Sequence, residues 1–225
     1  IHWKLSARTG ALHVKTHEPS TVIGGTLLLD LFQGGYLGEK MEERIELAVT
    51  TTASIAYLLQ LSGEQLGLLT NARDAAEAAR YEVESRQSVS REEADRSVEG
   101  ESVSDRIRPL MVPTRRSPVQ AQQIVENLAR VLPSDSLPIE DVILSEYGRL
   151  PRDAALLPVV PAVSPKLALV LAEMKLNGFG VSVFIIDNWN GYREASALLA
   201  PHNITAFHIE HERNLHEISP ARIGH

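Results

Sequence analysis

The sequence predicts a three-layer α/β domain built around a mostly parallel sheet, in a chain of 225 residues. Apolar runs of strand length recur along the chain, and segments with the helical spacing of apolar residues lie between them. This alternation is typical of helices that cover both faces of a parallel sheet. The composition agrees, because 44% apolar and 23% charged residues are ordinary values for a folded domain.

The first third of the chain is predicted to be strand, helix, strand. Residues 26–31 form a short apolar run between two glycine pairs, which favours a buried strand. From Glu42 to Leu61, apolar and small residues recur with helical spacing. Acidic residues precede and begin this segment, where they match the positive end of a helix dipole. Residues 65–70 form the next predicted strand.

A charged stretch interrupts the pattern. Residues 71–106 carry ten acidic residues against six arginines, and their apolar content is low. We interpret this stretch as a solvated insertion that is partly helical around 74–86. Residues 108–116, which contain two prolines, are predicted to be an extended arm that returns to the domain.

The second half of the chain continues the alternation. Residues 155–163 are its weakest strand, because Pro158 and Pro161 lie inside it. The other predicted elements are helices at 118–132, 139–150, 165–176 and 192–199, and strands at 181–186 and 204–209. The α/β domain is therefore expected to span 21–210, between an N-terminal segment (1–20) and a polar C-terminal tail (211–225).

Composition excludes several classes of function. The net charge of −7 is the wrong sign for a surface that follows phosphates, so nucleic acid is not an expected partner. The chain has no cysteine, which excludes disulfides, thiolate nucleophiles and cysteine-ligated zinc. Its apolar runs are far too short to span a bilayer. Neither a serine-nucleophile motif nor a zinc-protease motif occurs, so the sequence indicates no enzyme and no cofactor.

Polar residues that follow the predicted strands are the candidates for binding. Ligands of open α/β sheets gather where parallel strands end, and the side chains there are Asp30 with Gln33, then Thr70, then Asp187. Tyr36 lies in the first of these loops. Each aspartate has a second interpretation, in which it caps the next helix or holds its own loop.

Two weaker patterns suggest other ligands. The loop Gly34–Gly38 lies between a strand and a helix, where backbone N–H groups can bind a phosphate. Its spacing is not that of a dinucleotide fingerprint, and the acids at 39, 42 and 43 oppose an anion, so an ordinary glycine turn is the competing interpretation. His208, His211 and His216 lack the spacing of a metal site and are as well explained by a polar tail.

The opening segment differs from the rest of this acidic chain. Lys4, Arg8 and Lys15 lie near Trp3 with no acidic residue before Glu18. This segment is either a docking patch, since Trp and Arg commonly anchor interfaces, or an amphipathic stretch that packs on the core and leaves its cations in water.

Several of these residues resemble a known family. The string IHWKLSARTGALHVK (1–15), followed by a strand that ends in Leu29-Asp30, a long helix and the Gly-Leu-Leu of 67–69, is similar to bacterial domain-of-unknown-function family 58. The resemblance implies a von Willebrand factor A-like, Rossmann-type fold. It also implies membrane helices upstream, so that the chain is expected to be the cytoplasmic-side, C-terminal piece of a membrane-anchored protein. A MoxR-type AAA+ ATPase is the partner that it implies.

The chain departs from the metal-binding version of the A-like fold. That version presents Asp-x-Ser-x-Ser, whose oxygens bind Mg²⁺, whereas the corresponding positions here are Asp30, Phe32 and Gly34. We therefore expect a degenerate site and no bound metal.

The predicted function is a non-enzymatic protein-interaction module. Its candidate contacts are Asp30, Gln33, Tyr36, Thr70 and Asp187, with a second patch at Trp3, Lys4 and Arg8. The alternative is a nucleotide- or phosphate-binding protein, or a hydrolase, that uses the Gly34–Gly38 loop. A scaffolding role within a longer chain is a further interpretation that the sequence does not separate from the first.

Overall fold

The computed structural model describes residues 24–36, 38, 40–76 and 109–218, and these residues form a three-layer Rossmann-like fold. This confirms the predicted fold class. The predicted N-terminal segment and most of the charged insertion lie outside the described residues. Among the described helices, none has the length and apolar character needed to cross a membrane.

A six-stranded sheet forms the middle layer. Its order is β4-β2-β1-β6-β7-β8, and every strand is parallel to its neighbours except the edge strand β4. A separate two-stranded sheet pairs β3 with β5. The strands are β1 (Gly25–Leu29), β2 (Leu66–Thr70), β3 (Arg73–Asp74), β4 (Leu110–Arg115), β5 (Val131–Leu132), β6 (Ala155–Val160), β7 (Ser182–Ile186) and β8 (Thr205–Ile209).

Helices cover both faces of the sheet. The helices are α1 (Met41–Leu61), α2 (Gln120–Leu128), α3 (Ile139–Ser145), α4 (Pro165–Leu176) and α5 (Trp189–Leu199). Successive side chains of a strand point to opposite faces, so Leu27 and Leu29 pack under α1 while Leu28 packs on the side of α3 and α4. The four inner parallel strands are buried along their whole length, which explains their nearly continuous apolar sequences.

The chain reverses its direction of travel across the sheet between β1 and β6. From β1 it crosses over α1 to β2 on one side, and β6 lies on the other side and continues through α4 and α5 to β7 and β8. The carboxyl ends of β1 and β6 therefore mark the topological switch point, which is where ligands of open α/β sheets bind.

The strand that was predicted to be weakest is one of the most buried. All six residues of β6 are buried, and it pairs with β1 along Ala155–Val159. Pro158 has no N–H to donate, and β6 pairs with β7 on either side of it, at Leu156 with Val181 and from Val159 with Phe184. The fold accepts a proline here because only the ladder on the β7 side loses a bond.

Several predicted boundaries are wrong. The helix predicted over 139–150 ends at Ser145 and is followed by a separate 3₁₀ helix at Tyr147–Arg149. The helix predicted over 118–132 ends at Leu128, since Val131 and Leu132 form β5 and pair with β3. The helix predicted from Tyr192 begins at Trp189, because the Asn188 side chain accepts hydrogen bonds from the Asn190 and Gly191 amides and caps the helix there.

Segments that were expected to lie outside the core contribute to it. Asn71 and Ala72 of the predicted insertion are buried, and the arm predicted at 108–116 is the edge strand β4. In the predicted C-terminal tail, residues 212–217 form a 3₁₀ helix, and Leu215 and Ile218 pack against the core layer that contains α1.

Candidate functional site

Loops that leave β1, β2, β6 and β7 meet at the carboxyl edge of the sheet. Parallel strands end at the same edge, so Asp30, Asn71, Pro161 and Asp187 are brought to it by the fold alone. We call this region the carboxyl edge. Its polar side chains are held by one another and by backbone groups, as described below.

Asp30 is a buried carboxylate at the switch point, with only 7% of its surface exposed. Its Oδ1 accepts hydrogen bonds from the Phe32 amide (3.0 Å) and from Asn71 Nδ2 (2.7 Å). Burial raises the pKa of Asp30 to about 6, although these two hydrogen bonds oppose the rise; the nearby negative charge of Glu140 adds to it. Asp30 thus carries a carboxylate whose charge the protein disfavours.

Asn71 joins three segments at this point. Its Oδ1 accepts a hydrogen bond from the Leu31 amide (2.8 Å), while its Nδ2 donates to Asp30 and to the Leu137 carbonyl (3.0 Å). All of these partners lie on different segments from Asn71, which is itself 3% exposed. The side chain therefore connects the ends of β1 and β2 to the segment before α3.

Tyr36 lies beneath the loop that follows β1. The ring is 1% exposed, and the hydroxyl donates to the main-chain oxygen of Asp30 (2.7 Å). Burial, followed by the negative charge of Asp30, raises the pKa of Tyr36 well above its usual value, so the phenol keeps its proton and acts as a donor. Tyr36 is therefore a support for the loop.

Arg44 joins α1 to the ends of two strands. Its guanidinium donates to the carbonyl oxygens of Pro161 (3.0 Å) and Ile186 (3.0 and 3.2 Å). The same group lies 3.4 Å from the Asp187 carboxylate and over the Tyr36 ring, at 5.7 Å from its centre. Because arginine presents several donors in a fixed plane, one side chain can hold the strand ends and the carboxylate together.

The buried Glu140 and the half-buried Ser164 form a second polar pair near Asp30. Glu140 is 8% exposed and accepts a hydrogen bond from the Ser164 hydroxyl (3.1 Å). Ser164 also accepts from the Leu167 amide (2.9 Å) and so caps α4, in which Pro165 takes the first position. This pair fixes the start of α4 beside the loop that leaves β6.

Trp189 is the most exposed aromatic ring at the carboxyl edge. It is 57% exposed, and its ring lies 5.3 Å from that of Tyr192 and 5.5 Å from that of His208. His208 Nε2 donates to the Asp187 carbonyl (2.8 Å), which fixes the imidazole. The three rings form a platform, here called the Trp189 platform, that begins two residues after Asp187.

The candidate binding residues that the sequence suggested differ in exposure and in hydrogen bonding. Asp30 and Asp187 both hold their own loops, since Asp187 Oδ1 accepts from the Asn188 amide (2.8 Å) as Asp30 does from Phe32. Thr70 is fully buried, and its hydroxyl accepts from the Ala72 amide (3.1 Å). Gln33 is exposed. Trp3, Lys4 and Arg8 lie outside the described residues.

The roles of three residues at the carboxyl edge were not predicted from the sequence. Trp189 was missed because the predicted helix began three residues later; Asn188, a preferred N-cap residue, was the signal that could have corrected it. Arg44 stands among glutamates in the first turn of α1 and looks like a surface charge. Glu140 lies in a predicted helix, and no sequence pattern signals its burial.

The glycine loop does not have the form of a phosphate site. The amides of Gln33, Gly35 and Tyr36 already donate to the carbonyls of Ser134, Phe32 and Gln33. The Phe32 ring lies against Gly34, and Pro161 lies against Gly35, where an added Cβ would come within 2.6 and 2.7 Å of them. Side chains fill the space that an anion would need, which counts against the phosphate-binding alternative.

The residues at the switch point do not fit a magnesium ion. Oδ1 of Asp30 and both polar atoms of the Asn71 amide are used in hydrogen bonds within the fold. Phe32 and Gly34 offer no side-chain oxygen. Within the described ranges, no three His, Asp or Glu side chains are close enough to hold a metal. Two of the three C-terminal histidines are engaged within the fold: the His208 ring bonds to the Asp187 carbonyl, and the His211 amide donates to Asn214 Oδ1 at the start of the 3₁₀ helix.

Comparison with known proteins gives one result. Residues 1–93 match the sequence model of a family described as "Protein of unknown function DUF58". The matched segment contains β1, α1, β2 and β3, with the residues that precede them. No curated protein matches the chain.

Proposed function

We propose that this chain, which carries a DUF58 family domain over residues 1–93, is a non-enzymatic protein-interaction module that binds its partner with the carboxyl edge. The observation that carries the proposal is Trp189. An indole that is 57% exposed and held by two neighbouring rings presents a large apolar area that is already ordered. Tryptophans of this kind supply much of the energy of protein interfaces.

The surroundings of Trp189 support a contact role. Asn188 fixes the first turn of α5, and the chain just before it is held by Arg44, which ties Asp187 and Ile186 to α1. A surface whose backbone and side chains are already held loses little conformational entropy when a partner binds. The polar groups of the edge bond to one another, which leaves them suited to hold a surface in shape.

Charge around the edge favours a basic partner surface. Glu42, Glu43 and Glu46 are exposed on the first turns of α1, which starts at the carboxyl edge, and Glu210 is exposed after β8. Complementary charge of this kind speeds association and selects partners. We therefore expect binding that weakens as the salt concentration rises.

The resemblance to the family supplies the rest of the proposal. We propose a MoxR-type AAA+ ATPase as the partner, and a location on the cytoplasmic side of a membrane to which another part of the protein is anchored. The role is then to present the carboxyl edge to the ATPase during the assembly or activation of other complexes.

The test is a binding titration between the purified chain and the MoxR-type ATPase of the same genome. Trp189→Ala is expected to cost about 2 kcal/mol or more, a loss of roughly thirtyfold in affinity. The matched control is Leu176→Ala, because Leu176 is 89% exposed but ends α4 at the opposite edge of the sheet. Equal affinity of wild type and Trp189→Ala would refute the carboxyl edge as the contact surface, and no binding at all would refute the ATPase as the partner.

A further inference from the structure

An open apolar groove lies between the second half of α1 and the 3₁₀ helix at 212–217. It has a volume of about 150 Å³ and is lined by Ser54, Ile55, Tyr57, Leu58, Leu61, Leu215 and Ile218. The first five belong to the second half of α1, and the last two to the 3₁₀ helix at 212–217 and the residue after it. We call it the α1 groove.

The α1 groove leaves unusually large side chains in water. Tyr57 is 61% exposed and Leu61 is 68% exposed, one turn apart on the same helix. Exposed apolar surface that is contiguous, and not scattered, marks a place where another segment or molecule packs. In the described part of the chain, nothing covers these two side chains.

We propose that the N-terminal segment of the same chain, residues 1–15, docks on α1 and places Trp3 in the α1 groove. The proposal is independent of the carboxyl edge, because it concerns the opposite end of α1. It also decides between the two interpretations of the segment, since a docked Trp3 is not available to an external partner.

The position where the described chain begins supports this occupant. Gly24 has a φ of 100°, and an added Cβ there would meet the main chain of Gln65, just after α1. The next residue, Gly25, lies beside the Leu59 side chain. The chain therefore enters the fold at the same end of α1 that forms the groove, and nine extended residues span up to about 30 Å. Residues 1–15 can reach every part of the groove from Gly24.

The chemistry of the segment matches the surface of α1. A space of about 150 Å³ holds a benzene-sized apolar group, and the segment offers Trp3 together with Leu5 and Leu12. The groove is lined mainly by apolar side chains, so an apolar ring is the group that fits it.

Fluorescence of a single tryptophan tests the proposal, since the chain has only two. In a full-length Trp189→Phe variant, Trp3 is the sole emitter. We expect emission shifted to the blue of free tryptophan and protection from acrylamide quenching. Adding Tyr57→Gln with Leu61→Gln is expected to abolish both, while the fold remains intact because both side chains are largely exposed. The matched control is Leu169→Gln, 64% exposed on α4 across the sheet, which is expected to change neither.

Cysteine pairs supply a second readout, because the natural chain has no cysteine. Leu5→Cys with Leu61→Cys is expected to form a disulfide within one chain on mild oxidation, whereas Leu5→Cys with Leu169→Cys is not. Water-like emission of Trp3 in the Trp189→Phe variant would overturn the proposal. Trp3 emission that is unchanged by Tyr57→Gln with Leu61→Gln would also overturn it. So would a disulfide that forms only between two chains.

Discussion

Asn71 and Asp30 are joined by a 2.7 Å hydrogen bond from Nδ2 to Oδ1 across the carboxyl ends of two neighbouring strands. The contact connects residues that are 41 positions apart, and both side chains are more than nine-tenths buried. Asn71 can donate to Asp30 whether the carboxyl group is charged or neutral. Among the residues that the structure describes, no cation pairs with this carboxylate at the switch point.

The first prediction is that Asp30→Asn stabilises the protein at neutral pH. The pKa of Asp30 rises from 3.8 to about 6 on folding, so between these values the folded chain binds more protons than the unfolded chain. The contribution of Asp30 to the free energy of unfolding is therefore greatest below about pH 4. It falls as the pH rises to about 6 and is constant above pH 6. At about 1.4 kcal/mol per pKa unit, the loss amounts to roughly 3 kcal/mol.

Urea unfolding of both proteins from pH 4 to pH 7.5 measures this effect. The amide oxygen of asparagine can still accept from Phe32 and Asn71, so the gain of Asp30→Asn is expected to be largest above pH 6 and small at pH 4. Asp153→Asn is the control, because Asp153 is exposed. A difference between wild type and Asp30→Asn that does not vary with pH would contradict the prediction.

The fold could be predicted from the sequence because its signals are local. The inner strands are apolar runs of five or six residues, and α1 carries 21 residues of helical pattern. The structure of each of these segments can therefore be predicted from its own residues. The predictions failed where pairing with a segment far away in the sequence determines the secondary structure. Val131 and Leu132 look like the end of a helix but pair with Arg73 and Asp74, almost 60 residues earlier.

The candidate site could be predicted in position but not in detail. The strand-end rule correctly brought Asp30 and Asp187 to one edge, because parallel strands end together. It could not show that Tyr36 and Thr70 are buried or that Arg44 reaches two strand ends, since those facts depend on side-chain packing between segments far apart in sequence. The exposure of Trp189 is of the same kind.

A second prediction concerns Arg44. Arg44→Ala removes donors from the carbonyls of Pro161 and Ile186 and leaves Asp187 without its cation, so we expect a loss of about 2 kcal/mol in the free energy of unfolding. Arg44→Lys is expected to recover less than half of this loss, because a single ammonium cannot bond to both carbonyls in the geometry of a guanidinium.

Denaturant unfolding of these variants is compared with that of Arg149→Ala. Arg149 also pairs with a carboxylate, Glu146, at 3.0 Å, but its side chain is 72% exposed. Removing an exposed pair changes stability by less than about 1 kcal/mol. If Arg44→Ala costs no more than Arg149→Ala, or if lysine restores full stability, Arg44 does not hold the carboxyl edge together.

A third prediction concerns Gly67, where three strands approach closely. The hydroxyls of Thr26 in β1 and Thr114 in β4 lie 2.7 Å apart across Gly67 of β2, and the β2–β4 pairing shifts register at this residue. A Cβ at position 67 would lie 2.3 Å from the Thr114 hydroxyl and 2.7 Å from the main chain of the same residue. A shift of one side chain cannot relieve contact with backbone, so the edge strand must move.

Gly67→Ala is therefore expected to lower the free energy of unfolding by about 2 to 3 kcal/mol, although alanine is the better residue in most strands. The loss is expected to concentrate in β4, where hydrogen exchange of the Met111, Val112, Thr114 and Arg115 amides should speed up more than that of β6. Gly148→Ala is the control, because an added Cβ there meets nothing within 4 Å. Equal effects of the two substitutions, or exchange that rises evenly across the sheet, would show that the close approach at Gly67 does not limit the stability of this edge.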